Sequence, residues 1–153
     1  LTEADFDILA SRATEPSFYR APHPGTREPH QYQHAGVEYG LARSHHLFGD
    51  APGLGKTAEC ILLGNAVGAR RTLVVCPASL RLNWEREIWA WSNTPNVGTY
   101  VIGKSSDGVS NVHDYVIISY ALLANKDIHA ALMAERWDHV ILDEAHALKD
   151  PKG

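Results

Sequence analysis

The stretch FGDAPGLGKTAECILL, residues 48–63, decides the fold. A candidate strand over residues 45–48 runs into a turn holding Gly53, Gly55, Lys56 and Thr57, and an apolar helix is expected over residues 55–67. Glycines let the backbone curl so that successive N–H groups point at phosphate oxygens, and the helix adds the positive end of its dipole. Lys56 is then placed to reach the β and γ phosphates. Thr57 offers a hydroxyl to magnesium, which keeps water and phosphate oxygens as its other ligands. The plainer alternative is a glycine turn capping a helix beside an incidental lysine. The strict spacing G-x-x-x-x-G-K-[ST] asks for glycine where Asp50 stands, and Pro52 brings no N–H to the loop. Binding is therefore expected through Gly53, Leu54, Gly55, Lys56, Thr57 and Ala58.

Outward from this loop, helical segments alternate with short apolar runs, the mark of an α/β domain with a mostly parallel sheet flanked by helices. The spacing predicts helices over residues 33–43, 80–91 and 127–136, and strands over 72–76, 99–102, 115–119 and 139–142. The runs LVVC, YVIIS and HVIL are short and rich in β-branched residues, as strands buried on both faces are. Leu80, Trp84, Ile88 and Trp91 fall on one helical stripe, which reads as core rather than as a binding platform. Pro16, Pro22, Pro24 and Pro29 make residues 14–30 an extended lead-in, and Phe6, Leu9 and Ala10 stand at near-helical spacing in residues 1–13 before it. The compact domain is expected over residues 32–153, after a lead-in of residues 1–31.

A second stretch, HVILDEAHALKD at residues 139–150, ends an apolar strand in two adjacent acids. Asp143 and Glu144 should emerge at the carboxyl edge of a central strand, where open α/β sheets bind ligands. Adjacent acids at the end of a buried strand cost solvation unless a cation or a hydrogen-bond network compensates. Magnesium would do so, with Asp143 as its outer ligand through water and Glu144 as the base toward the attacking water. A solvated acidic turn is the alternative for an isolated Asp-Glu pair.

Bulk properties leave function open and exclude little. The 153 residues are 44% hydrophobic and 21% charged, as in an ordinary globular domain. A net charge of −4 has the wrong sign for nucleic-acid binding through overall charge, so any such contact must be local. No long apolar run and no leader-like start are present, and the expectation is a cytoplasmic, nuclear or nucleoid protein with no membrane partner. Cys60 and Cys76 read as buried thiols rather than a bridge or a metal pair. The nine histidines include His30 with His34 and His45 beside His46, yet no third ligand stands at a recognisable metal spacing.

Asp143-Glu144-Ala145-His146 resembles the DEAH box of superfamily-two helicases, some branches of which place aspartate where Asp50 stands. The surrounding phrases resemble those of the Swi/Snf-type DNA translocases. DAPGLGKT, residues 50–57, is similar to that family's DEMGLGKT, with Ala51 and Pro52 departing from it. LVVCPASLRLNWEREIWAW, residues 73–91, resembles its segment after the second strand, and LDEAHALKD, residues 142–150, its second Walker motif. Upstream, YQHAGVEYGL at residues 32–41 resembles the tyrosine-glutamine lead-in.

This resemblance implies the first RecA-like lobe of a P-loop ATPase that couples ATP hydrolysis to movement on duplex DNA. Gln33 would meet the adenine edge, although a glutamine at a helix start needs no such role. Lys56, Asp143 and Glu144 would be catalytic, Thr57 and Asp143 would serve magnesium, and His146 would couple the nucleotide to the neighbouring lobe. Pro77, Ala78 and Ser79 would lie on DNA backbone phosphates, aided by Arg81 and Asn83, with Ser119 and Tyr120 as a second backbone-contacting motif. Helix-start N–H groups can hold phosphate without a net positive protein. For Ser79 a simple helix N-cap competes with that role. The later motifs, the second lobe and its arginine finger would lie beyond Gly153, and these residues alone are expected to hydrolyse ATP barely. The competing functions are a DEAH-type RNA helicase lobe and a non-catalytic ATP- or DNA-binding module.

Overall fold

The computed structural model describes residues 19–41 and 56–143, so the strand expected over residues 45–48 and any helix over 1–13 lie outside the described residues. The chain divides into two units, one comprising residues 1–68 and 90–94 and the other residues 69–89 and 95–153.

In the first unit, residues 19–30 form neither helix nor strand, as Pro22, Pro24 and Pro29 dictate. Two helices follow, α1 (Gln31–Leu41) and α2 (Lys56–Val67). The expected start of α1 was two residues later. The side chain of Gln33 accepts the His30 N–H at 2.7 Å while the Gln33 N–H donates to the His30 carbonyl, which makes Gln33 the third helical residue. Helices α1 and α2 pack on each other, burying Val37, Ala58, Ile61, Leu62 and Leu63. The lead-in is tied to this unit: Ala21 N–H donates to His34 Nδ1 at 2.9 Å, and Asn65 Nδ2 donates to the carbonyls of Pro22 and Trp91.

The second unit is a parallel sheet of four described strands, β1 (Thr72–Cys76), β2 (Thr99–Val101), β3 (Tyr115–Ser119) and β4 (His139–Leu142), in the order β2-β3-β1-β4. Its helices are α3 (Arg81–Trp91), whose last two residues fall in the first unit, α4 (Tyr120–Leu123) and α5 (Lys126–Ala134). Strands β1 and β3 are buried throughout, as their β-branched runs predict. On one side of the sheet, Leu73, Val75, Val116 and Ile118 pack with Ile102, Ile128 and Leu132.

HVIL is not buried on both faces as expected, and with residues 45–48 outside the described residues its place in the sheet is given only relative to the described strands. Among the described strands β4 is an edge, paired only with β1, and Val140 and Leu142 are 48% and 38% exposed while Ile141 is buried. Apolar composition reports that a residue can be buried; the period of two decides which face is. Helix α5 runs over residues 126–134, against the 127–136 expected. Asn125 caps its start by accepting from the Asp127 and Ile128 N–H groups, and the Trp137 indole takes the Leu132 carbonyl at its end. The short α4 was not foreseen. No helix among the described residues is long and apolar enough to cross a membrane.

Candidate functional site

Parallel pairing puts the carboxyl ends of the strands at one edge of the sheet. Cys76 is in register with Ser119, and Val75 with Leu142, so the segments beginning at Pro77, Ser119 and Asp143 leave the sheet side by side. This is the edge where open α/β sheets bind ligands. Three segments singled out in the sequence thus converge without any metal or nucleotide having been assumed.

Asp143 is half-buried and held on three sides. Its N–H donates to the Val75 carbonyl at 2.8 Å, prolonging the β1–β4 ladder by one residue. Its Oδ2 accepts the Trp84 indole N–H at 2.8 Å, and its carbonyl accepts the Tyr120 hydroxyl at 2.8 Å. Neither donor was assigned to Asp143 from sequence. Trp84 was read as core, correctly, since it is 1% exposed. A buried indole N–H still demands an acceptor, and that demand was the overlooked signal.

Cys76 is buried next to this carboxylate. Burial first, and the Asp143 charge second, push its thiol up to about 12 against the opposing pull of Arg81. It is therefore a protonated thiol at neutral pH, without nucleophilic or ligand character.

The segment after β1 turns through a 3-10 helix, Ala78–Leu80, before α3. Ser79 is exposed and lies inside this turn. Pro77 occupies the cap position and no side chain caps it, so the N-cap alternative for Ser79 does not apply to this turn. Arg81 folds back, donating Nε to the Ala78 carbonyl at 3.1 Å and Nη1 to the Ile102 carbonyl at 2.6 Å. Its guanidinium thereby fastens the turn to the end of β2. Ser119 is buried, and its hydroxyl accepts the Leu122 N–H as the N-cap of α4. Ser119 thereby holds the turn that follows β3.

In the first unit Lys56 opens α2, with Thr57 beside it and both half-buried; Ala58 is buried. Glu59, one turn on from Lys56, is also buried, and burial outweighs the Lys56 charge to push its carboxyl up to about 7. Its carboxyl fills the space over Gly36 of α1, where a Cβ would come within 2.8 Å of Oε2. Gln33 is buried, with Oε1 committed to the His30 N–H. His34 accepts at Nδ1 from Ala21, which leaves the Nε2 proton directed at Glu28 Oε1, 3.4 Å away. Gly53, Leu54, Gly55, Glu144 and His146, like His45 and His46, lie outside the described residues.

Comparison with known proteins agrees with this arrangement. Residues 32–153 match the model of the SNF2-related domain. The chain is 34% identical over 127 residues to the Arabidopsis thaliana protein CHROMATIN REMODELING 19, covering 68% of this chain and 16% of that protein. It is 33% identical over 129 residues to a Caenorhabditis elegans homologue of SWI/SNF-related matrix-associated actin-dependent regulator of chromatin subfamily A-like protein 1, covering 79% and 18%. The chain thus spans under a fifth of the length of these curated relatives. Among solved structures it is similar to the Sulfolobus solfataricus SWI2/SNF2 ATPase core in complex with dsDNA, with a TM-score of 0.67 and 25% identity, covering 88% of this chain and 30% of that one. The family match over residues 32–153 and the parallel sheet agree: the chain belongs to the SNF2-related domain family.

Proposed function

We propose that the chain is the ATP-binding RecA-like lobe of a DNA-stimulated ATPase that moves on duplex DNA in the nucleus or nucleoid, completed by a second lobe that brings an arginine finger. The observation behind this reading is the sheet edge at which the Pro77, Ser119 and Asp143 segments emerge side by side. Family membership and the order of the sequence phrases support it.

The donor chemistry fits magnesium and ATP. Thr57 and Asp143 are hard oxygen donors of the kind magnesium takes, and Lys56 at the start of α2 suits a phosphate. Magnesium held by Thr57 and Asp143 would supply positive charge that offsets the negative charge of the phosphates. Gly53, Leu54, Gly55 and Ala58 would line the phosphates, Lys56 would reach the β and γ groups, and Glu144 would orient the attacking water. Gln33 would meet the adenine edge. His146 would pass the state of the nucleotide to the second lobe.

For DNA, Pro77 and Ser79 would present backbone N–H groups and a hydroxyl to one strand's phosphates. Arg81 would hold that turn in place, and Ser119 the neighbouring one. Recognition of this kind is independent of base sequence and tolerates a net charge of −4.

The test is Mg-ATP affinity by calorimetry for the wild-type chain and Lys56→Ala. Loss of a charged hydrogen bond predicts about 10–100-fold weaker binding; an unchanged Kd removes the phosphate-loop assignment. Duplex DNA is expected to compete better than RNA for the protein, and the reverse would restore the RNA-helicase alternative.

A further inference from the structure

Two tryptophans of the second unit solve the same problem differently. The Trp137 indole donates to the Leu132 carbonyl five residues away, a local bond that ends α5. The Trp84 indole reaches across 59 positions of sequence to a carboxylate oxygen of Asp143. A carboxylate that accepts a fixed N–H loses rotational freedom, and the remaining lone pairs are aimed by that bond. The Tyr120 hydroxyl fixes the same residue's carbonyl, so that side chain and backbone are both held.

The donors come from informative places. Trp84 lies one turn beyond Arg81, on the helix that starts directly after the Pro77–Ser79 segment, and Tyr120 adjoins Ser119. Under the reading proposed above, on which this inference rests, those two segments face DNA and Asp143 serves magnesium. We propose that Trp84 and Tyr120 are positioning residues that tie the segments after β1 and β3 to Asp143, so that contact with the DNA backbone and magnesium-nucleotide binding report on each other. Displacement of either segment moves a donor relative to the carboxylate. By linkage, whatever DNA does to magnesium-nucleotide affinity, nucleotide does equally to DNA affinity.

The experiment uses the full chain with Trp84→Phe and Tyr120→Phe, each of which keeps a ring and removes one donor. The probes are ATP with and without magnesium, and a duplex oligonucleotide of mixed sequence. Wild-type protein is expected to bind Mg-ATP with a Kd that saturating duplex changes by about fivefold or more. Trp84→Phe is expected to weaken Mg-ATP binding by about tenfold, the usual cost of losing a group that orients a metal ligand. Its affinity for ATP without magnesium stays unchanged, and the duplex effect collapses toward one. Tyr120→Phe changes the same quantities less. A merely structural tryptophan would weaken both forms of ATP alike.

In the nitrogen-15 spectrum of the wild type, the Trp84 Nε1–H signal should move on adding Mg-ATP, a readout independent of whether Trp84→Phe folds. Variants that keep both magnesium dependence and the duplex effect overturn the proposal, as does wild type that binds Mg-ATP without any duplex effect or without moving the Trp84 signal. Wild type that fails to bind Mg-ATP at all overturns the proposed function as well, which separates the two failures.

Discussion

Glu59 in the first unit and Asp143 in the second are both carboxylates near residues assigned to nucleotide, yet their surroundings differ. Glu59 is buried against Gly36, and desolvation keeps its proton on up to a pH of about 7. Asp143 sits at a strand end, half-buried, with an indole N–H on its carboxylate and a phenol on its carbonyl. At Glu59, burial outweighs the Lys56 charge and yields an acid that titrates near neutrality. At Asp143, a directed donor in a partly open place fixes the orientation of the carboxylate. A carboxylate's role thus follows from what surrounds it, more than from its distance in sequence to a motif.

The largest expected effect lies on the oriented side. Trp84→Ala removes a ring that is 1% exposed together with the Asp143 donor, and is expected to cost about 3–5 kcal/mol in denaturant unfolding. A loss under 1 kcal/mol would mean that the indole is not the anchor described.

On the buried side, the sign of the pH dependence is set by a raised folded value. Stability from Glu59 is fully present below its ordinary value of 4.5 and declines as pH rises toward about 7. Glu59→Gln is therefore expected to gain on the order of 2–3 kcal/mol relative to wild type between pH 4.5 and pH 8. A difference that is flat with pH would put Glu59 in water. Gly36→Ala would press a Cβ onto the Glu59 carboxyl and should cost about 1–3 kcal/mol, most of it recovered when Glu59 is shortened to Ala in the same chain.

The smallest effect concerns Asp138, exposed and accepting the Arg70 and Arg71 N–H groups at 2.9 and 3.0 Å. Those bonds hold its carboxyl below the usual range, so its contribution is present at neutral pH and is lost on acidification. Asp138→Asn should flatten the acid limb of the stability profile slightly, and an unchanged limb would show that solvent screens the contact fully.

Much of this was legible in the residues, for physical reasons that differ by element. The runs LVVC and YVIIS announce buried strands because β-branched side chains suit a pleated interior, and both are buried throughout. The stripe of Trp84, Ile88 and Trp91 places one face of α3 in the core. HVIL has equally apolar residues, yet its exposure depends on which strands flank it, a fact of topology that no local pattern encodes. Helix α4 escaped notice because four residues are too few for a periodic signal, although its Ser119 cap was in view.

The candidate site divides in the same way. Motif spacing was enough to nominate Lys56, Thr57 and Asp143, because phosphate and magnesium chemistry demand those groups in that order. Their supports are long-range: Trp84 and Tyr120 meet Asp143 across 59 and 23 positions. Only the folded sheet edge brings them there. Ser119, nominated for contact, has a second role that the spacing did not announce, as the cap of α4.

The most direct test of the central claim is ATP affinity with magnesium and with magnesium chelated, compared between wild type and Asp143→Ala. The account predicts that wild type loses most of its affinity when magnesium is removed, while Asp143→Ala binds weakly and responds little to the metal. Asp143→Ala protein that binds Mg-ATP as tightly as wild type, with the same magnesium dependence, would contradict it.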